Sequence, residues 1–244
     1  MCKSCDDHAV NRRNVLGLAG LGIAAAAAAT VGVRAAVAAG GPQTALTPDQ
    51  ALAALKDGNK RYVSQPQLCT LDLAKHRSEL AEHQAPWATI IGCSDSRVPP
   101  ELLFGGLGVG QLFVARNAGN LIDTAVIGTV EYGAAVLGAP LVVVLGHQRC
   151  GAVAAACDVV AKNATFPGSI GPMIEPIVPA AIAVRGQSGD FVDNTVRESA
   201  RRTAERLMSA SAIVGDMVKA GKVKVVAARY DLETGSVEFL SPKA

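Results

Sequence analysis

The sequence of 244 residues contains few aromatic and few charged side chains. Aromatic residues make up 4% of the chain and charged residues 18%, whereas hydrophobic residues reach 50%. Intrinsically disordered proteins show the opposite bias, because they combine low hydrophobicity with high net charge. The 25 glycines follow no fixed period and charge is too sparse for a long coiled coil, so fibrous classes are excluded as well. The composition therefore indicates a folded globular protein.

Net charge is also nearly absent. The chain has 23 basic and 21 acidic side chains, and the small positive excess falls within residues 1–39. The remaining residues, 40–244, are formally neutral apart from their histidines. Because a nucleic-acid-binding domain needs a basic patch or stripe, we expect no nucleic-acid partner. Residues 40–244 also contain no Cys-x-x-Cys pair, which argues against a disulfide-exchange protein.

Residues 1–39 have the pattern of an export signal. Arg12 and Arg13 form a twin-arginine pair, and an uncharged stretch rich in alanine and glycine follows over residues 14–33. The small-x-small sequence Ala-Val-Ala at residues 36–38 is typical of a cleavage site. The uncharged stretch is only mildly hydrophobic, which favours the twin-arginine route over the ordinary secretory route.

We therefore predict a twin-arginine-type signal peptide over residues 1–39 and one domain over residues 40–244. Cleavage of the signal would leave the domain in the periplasm or outside a bacterial cell, without a stable membrane anchor. The alternative is an uncleaved membrane tether, because about 20 residues can span a bilayer.

Residues 40–244 alternate between helical patterns and short apolar runs. A capping box at residues 47–50 (Thr-Pro-Asp-Gln), with proline at the first helical position, predicts a helix that ends near Ser64. The other predicted helices cover residues 72–84, 121–138, 151–162, 172–185 and 190–220. Continuous apolar runs predict buried strands over residues 87–92, 111–115, 141–146 and 223–228, and an antiparallel edge strand over 236–240. Strands that alternate with helices predict an α/β fold with a mostly parallel central sheet.

Two of the predicted strands end in residue types that bind metals. The first leads into residues 93–97 (Cys-Ser-Asp-Ser-Arg), and the third leads into residues 146–151 (Gly-His-Gln-Arg-Cys-Gly). The carboxyl ends of the strands line the functional crevice of an open α/β sheet, so Cys93, His147 and Cys150 are expected to converge. One imidazole and two thiolates suit zinc, and they leave one tetrahedral position open, as catalytic zinc sites do.

Three motifs give the chain a family resemblance. They are Cys-Ser-Asp-Ser-Arg-Val at residues 93–98, Leu-Phe-Val-Ala-Arg-Asn-Ala-Gly-Asn at 112–120 and Gly-His-x-x-Cys-Gly at 146–151. With them the sequence resembles the β-class carbonic anhydrases over residues 47–242. This resemblance implies reversible hydration of carbon dioxide to bicarbonate and a proton by a zinc-bound hydroxide, with one zinc ion per subunit.

The resemblance also implies roles for individual residues near the metal. Zinc would be bound by Cys93, His147 and Cys150, while Asp95 and Arg97 would form a carboxylate–guanidinium pair. In some members of the family the aspartate becomes the fourth metal ligand and closes the site. In others the arginine holds it away, and water takes the fourth position.

Further roles come from the same resemblance. Gln84 would bind substrate across a dimer interface, and the backbone N–H of Gly151 would face the substrate. The amino-terminal helices over residues 48–84 would form a homodimer or part of a larger homo-oligomer, because their apolar faces would otherwise stay exposed. Ile90 replaces the tryptophan of members that have a second bicarbonate pocket, so we expect no such regulatory site although Arg116 matches the pocket's arginine.

Two other functions stay open at this point. One is hydrolysis of carbonyl sulfide or carbon disulfide by a zinc enzyme on the same scaffold. The other is a non-catalytic zinc- or bicarbonate-binding protein, although the intact pair of Asp95 and Arg97 argues against it because a binding protein has no nucleophile to orient. Cys69 and Cys157 are expected to be free buried thiols, with a disulfide as the alternative in an oxidising compartment.

Overall fold

The computed structural model of the chain describes residues 43–65, 77 and 80–241. The predicted signal peptide over residues 1–39 and Cys69 lie outside the described residues, as does most of the helix predicted over residues 72–84.

A single five-stranded sheet forms the centre of the described fold. Its strands are β1 (Ala88–Cys93), β2 (Leu112–Asn117), β3 (Leu141–His147), β4 (Lys224–Tyr230) and β5 (Val237–Leu240). The strand order is β2-β1-β3-β4-β5, in which the first four strands are parallel and β5 pairs antiparallel with β4. The predicted α/β class, the mostly parallel sheet and the antiparallel edge strand are therefore confirmed.

Helices cover both faces of this sheet. They are α1 (Pro48–Ser64), α2 (Pro100–Leu103), α3 (Thr124–Glu131), α4 (Gly151–Lys162), α5 (Ile170–Ile174), α6 (Val178–Val184), α7 (Phe191–Ala210) and α8 (Ala212–Lys219). A π-helical turn over Tyr132–Val136 follows α3, and a 3₁₀ turn over Glu175–Ile177 joins α5 to α6. Within the described part of the chain, none of the helices has the length and apolar character needed to cross a bilayer.

Two predicted helix boundaries are wrong. The helix expected over residues 190–220 is interrupted at Ser211, whose backbone is extended and whose hydroxyl accepts a hydrogen bond from the N–H of Val214 at 3.1 Å. Serine is a strong N-cap residue, so it begins the new helix α8. The helix expected to reach residue 84 has already ended, because residues 80–86 form a turn, a bend and irregular backbone. Pro86 disfavours a helical conformation of the residue before it.

One face of the sheet is covered by α3, α7 and α8. Alternate residues of a strand point to opposite faces, and the side chains of Val142 and Val144 on β3 point to this one. They join a buried cluster that also includes Val130, Leu207 and Val214 from the three helices. The opposite face carries Val143 and Leu145, which pack with side chains of α1 and α2.

Helix α1 packs on its own chain. Its side chains Ala51 and Leu55 are fully buried in the same cluster as Val143 and Leu145. Gly58 lies so close to the end of α2 that an added Cβ would stand 2.0 Å from the carbonyl oxygen of Phe104. The expectation that this helix would expose its apolar face without a partner subunit is therefore wrong for α1, because that face is already covered within the chain.

Candidate metal centre

Three potential metal ligands converge at the carboxyl ends of two neighbouring strands. Cys93 is the last residue of β1 and His147 the last residue of β3, while Cys150 lies directly before α4. One ligand atom from each residue lies within 4.8 Å of the other two, and the two sulfur atoms are 3.9 Å apart. The convergence expected from the strand ends is therefore present in the structure.

His147 has a nitrogen that suits a metal. Its side chain is fully buried, and Nδ1 lies 2.9 Å from the carbonyl oxygen of Gln148. Because a carbonyl oxygen only accepts, Nδ1 carries the proton and Nε2 is left with a free lone pair. This buried Nε2 has no hydrogen-bond partner among the described residues. A metal ion would satisfy it, since ligating histidines commonly donate their other nitrogen to a carbonyl group.

The side chains of Cys93 and Cys150 are hydrogen-bonded to each other. Hydrogen bonding from the Cys150 thiol lowers the pKa of Cys93 to about 4, with further contributions from His147 and the N–H of Gly119. The same contact, together with burial, raises the pKa of Cys150. A divalent cation would stabilise both thiolates and release the second proton. Two soft sulfurs and an imidazole nitrogen therefore fit zinc.

Asp95 and Arg97 form a bidentate ion pair beside the three ligands. Arg97 donates from Nε to Oδ1 of Asp95 at 2.9 Å and from Nη2 to Oδ2 at 2.7 Å. These hydrogen bonds hold the pKa of the Asp95 carboxyl well below its usual range. Oδ2 of Asp95 also lies 3.8 Å from Nε2 of His147, so the carboxylate borders the site while both of its oxygens face the guanidinium group.

Arg116 fixes the loop that carries Cys93 and Asp95. Its Nε donates to the carbonyl oxygen of Cys93 at 2.8 Å, and its Nη2 donates to the carbonyl oxygen of Asp95 at 2.7 Å. Arg116, which matches the arginine of the second bicarbonate pocket in other family members, therefore binds two backbone carbonyl groups in this structure. Sequence reasoning missed this role, because a contact to a carbonyl group leaves no signal in residue type.

The chain is similar to proteins of one known family. The family model described as "Carbonic anhydrase" matches residues 88–237, which is more than half of the chain. The chain is 38% identical over 189 residues to "Carbonic anhydrase 2" of Mycobacterium tuberculosis, covering 77% of this chain and 90% of the relative. This chain belongs to the carbonic anhydrase family.

Solved structures place it in the β class of that family. A Coccomyxa β-carbonic anhydrase, solved with acetazolamide, has a TM-score of 0.60 at 26% identity and covers 82% of this chain and 90% of its own. A β-carbonic anhydrase of Sordaria macrospora, described as tetrameric, shares the fold with a TM-score of 0.62 at 22% identity, covering 76% and 91%. β-Carbonic anhydrases use zinc, so zinc is the cofactor that the donor set of Cys93, His147 and Cys150 serves.

Gly151 and Gln84, the two residues expected to contact substrate in this carbonic anhydrase, lie at different distances from the metal ligands. Gly151 adjoins Cys150 as the first residue of α4, where backbone N–H groups have no partner within the helix. Gln84 is exposed and instead lines a surface cavity of about 440 Å³ together with Val109 and Gly110. Within one chain, the structure therefore brings Gly151 but not Gln84 to the metal ligands.

Cys157 is a buried cysteine outside the metal centre. It is a free thiol on α4, and its sulfur donates to Oγ1 of Thr195 at 3.3 Å. Burial raises its pKa, so the thiol stays protonated. The prediction of a free buried thiol is confirmed for Cys157, while Cys69 lies outside the described residues.

Proposed function

We propose that this β-carbonic anhydrase hydrates carbon dioxide reversibly to bicarbonate and a proton, with one zinc ion per subunit held by Cys93, His147 and Cys150. The observation that carries the proposal is the group of three buried donor atoms within 4.8 Å of one another. When bound at such a site, zinc acidifies a coordinated water and so supplies a nucleophile at moderate pH.

Asp95 and Arg97 have the orienting role in this proposal. Asp95 accepts a hydrogen bond from the nucleophile and so directs its lone pair towards the carbon of carbon dioxide. Arg97 holds the carboxylate in a fixed orientation through the two hydrogen bonds described above. The N–H of Gly151 binds a substrate oxygen, and Gln84 acts from a second copy of the chain, since it lines a different surface of its own. Activity on carbonyl sulfide or carbon disulfide stays a prediction.

Removal of zinc tests the proposed function. We expect the chelated protein to lose carbon dioxide hydration and to regain it with one equivalent of zinc per chain, because the two thiolates and the imidazole act only through the metal. Stopped-flow hydration and metal analysis measure the two quantities, and circular dichroism checks that the chelated chain is still folded. Full activity in folded, metal-free protein would refute the proposal.

We also propose that residues 1–39 direct export by the twin-arginine route and are then removed, which leaves residues 40–244 as the mature domain. The support is the sequence itself, with Arg12 and Arg13 ahead of an uncharged stretch and a small-x-small pattern. The uncleaved tether is the other outcome that an experiment can give.

Replacement of Arg12 and Arg13 by lysine should block export. We expect the double variant to stay in the cytoplasm with its full mass, whereas Arg34→Lys, which changes an arginine of the same segment outside the pair, is exported normally. Cell fractionation and the mass of the periplasmic product measure both results. Export of the double variant at the normal rate would contradict the route, and an exported product of full mass would indicate the tether.

The protein is further proposed to act as a homodimer or larger homo-oligomer. The Sordaria relative is described as tetrameric. In this chain β2 lies at one edge of the sheet, and the side chain of Val109 beside the Gln84 cavity is 50% exposed. Analytical ultracentrifugation at low protein concentration should give twice the chain mass or more. A monomer with full activity would contradict both the assembly and the role of Gln84.

A further inference from the structure

The loop that follows β2 contacts the sulfur of a metal ligand. The backbone N–H of Gly119 lies 3.4 Å from Sγ of Cys93 and donates to it. The loop is joined to the Cys93 segment a second time, because the N–H of Ser94 donates to the carbonyl oxygen of Asn117 at 3.0 Å. The motif over residues 112–120 therefore adjoins the metal centre. The proposed reaction, however, assigns no role to any residue of this loop.

The side chain of Asn117 closes this loop. Its Oδ1 accepts from the N–H of Leu121 at 2.7 Å, and its Nδ2 donates to the carbonyl oxygen of Leu121 at 2.8 Å. A carboxamide offers one acceptor and one donor side by side, so it satisfies both backbone groups of a single residue. Asn117 thus fixes the distance between the two ends of the loop that presents the Gly119 N–H.

Packing confines the backbone of the loop after β2 at Gly119. Gly119 has a φ of +86°, which favours glycine, and Asn120 has a φ of +48°. A Cβ at position 119 would lie 2.9 Å from Cδ1 of Ile177 and 3.3 Å from Cβ of Ala152. The backbone is therefore confined between the Cys93 sulfur on one side and the apolar side chains on the other.

We propose that Asn117 is a positioning residue, whose amide holds the Gly119 N–H on the Cys93 sulfur and so limits the negative charge which that thiolate gives the metal. An N–H donor withdraws electron density from a sulfur ligand, and groups that hold a ligand in this way commonly set the affinity and the electronic character of a metal centre. Two thiolates give a metal ion more negative charge than neutral ligands would. An N–H that donates a hydrogen bond to one of the sulfurs reduces this charge, so the ion stays a stronger Lewis acid. The inference rests on the proposed metal site.

Cobalt substitution tests the role of Asn117 by spectroscopy. The Co²⁺ form of the unaltered protein should show a thiolate-to-cobalt charge-transfer band. In Asn117→Ala we expect this band at longer wavelength, because a sulfur without its N–H donor gives up electron density more easily. We also expect zinc affinity to fall by about 10- to 100-fold, as is typical for loss of a group that holds a metal ligand.

Asn59→Ala is the matched control. Asn59 is likewise an asparagine whose side chain binds backbone groups, with Nδ2 donating to the carbonyl oxygens of Leu103 and Gly235 and Oδ1 accepting from the N–H of Val237. Its loss should lower stability without moving the cobalt band, which separates a general structural effect from an effect on Cys93. A folded Asn117→Ala protein whose band does not move would overturn the inference. Absence of the band in the unaltered protein would instead overturn the metal site.

A measurement on the unaltered chain decides the matter if Asn117→Ala does not fold. In protein loaded with ¹¹³Cd, a hydrogen bond from Gly119 to the ligating sulfur should give the Gly119 amide proton a scalar coupling to cadmium. Detection of this coupling supports the contact on which the inference depends. Its absence, when the Cβ protons of Cys93 do couple to cadmium, would overturn it.

Discussion

Cys150→Ser should remove most of the zinc and reduce carbon dioxide hydration to background. A serine hydroxyl stays protonated at neutral pH, so the donor set falls from three groups to the thiolate of Cys93 and the imidazole of His147. The sulfur that is lost lies 3.9 Å from Sγ of Cys93 and belongs to the buried group of three ligand atoms. Because enzymes accelerate reactions by typically about 10⁶-fold or more, the expected loss is far larger than that of an ordinary site variant.

Cys157→Ser is the control for this variant. Cys157 lies on α4, seven residues after Cys150, and is buried in the same apolar cluster, but it does not belong to the metal group. A serine there can still donate to Oγ1 of Thr195, so we expect near-normal zinc content and activity. Stopped-flow hydration and metal analysis on both variants give the comparison. Full zinc and full activity in Cys150→Ser would refute the ligand assignment.

The three metal ligands could be predicted from sequence because their positions depend on where two strands end. Cys93 and His147 each end an apolar run, and parallel neighbouring strands bring such ends to one edge of the sheet. Cys150 follows three residues after His147, in the turn before α4, so its position depends on the same strand. Two segments that are distant in sequence, Cys93 and residues 147–150, therefore converge through the strand order.

Contacts to backbone groups could not be predicted in this way. Arg116 is bound to two carbonyl groups at the end of β1 and just after it, and Asn117 is bound to backbone groups of the loop after β2. Such backbone groups carry no sequence signal. The break at Ser211 was missed for a related reason. Its neighbours on both sides continue a helical pattern, and the structure shows an added contact, a hydrogen bond from its hydroxyl to Glu131 at 2.6 Å, that only the tertiary fold provides.

The covering of α1 also depends on the tertiary fold. The amphipathic pattern of residues 48–64 predicts an apolar face but does not identify its partner. In the structure Leu55 packs with side chains of α2 and β3, so the face needs no second subunit. The region of Gln84 and Val109, where the chain leaves a cavity and an exposed apolar side chain, is therefore a better candidate for a subunit interface than α1.

Arg97→Lys should lower kcat/KM by about 100-fold while leaving zinc content unchanged, a loss typical of a reacting group displaced by about 1 Å. The guanidinium group contacts both oxygens of Asp95, from Nε and from Nη2. A lysine has a single nitrogen at its end, so it can replace only one of these two side-chain contacts. The backbone N–H of residue 97 still donates to Oδ1 at 2.9 Å, but the planar, two-point contact of the guanidinium group is lost. Asp95 would then no longer be held in the orientation that directs the nucleophile. Arg97 is not one of the three ligands, so the metal should remain.

The pH dependence of Arg97→Lys separates orientation from ionisation. The pKa of Asp95 is held well below its usual range by Arg97, so weakening the contact raises that pKa towards about 3.9. Even at that value the carboxylate is ionised at neutral pH, and the ratio of wild-type to variant activity should stay constant from neutral to mildly alkaline pH. A ratio that falls steadily as pH rises would mean that ionisation of the carboxylate, and not its orientation, had been lost.

Arg202→Lys provides the comparison that makes this loss specific. Arg202 donates from Nε to Oε1 of Glu198 at 2.8 Å, so it is also an arginine paired with a carboxylate, but on α7 and outside the metal group. Lysine can keep one contact there, and the rate of hydration should be unchanged because neither side chain holds Asp95. An equal loss in both variants would mean that kcat/KM responds to any weakened ion pair. A large loss confined to Arg97→Lys requires that both oxygens of Asp95 be held for the nucleophile to reach carbon dioxide.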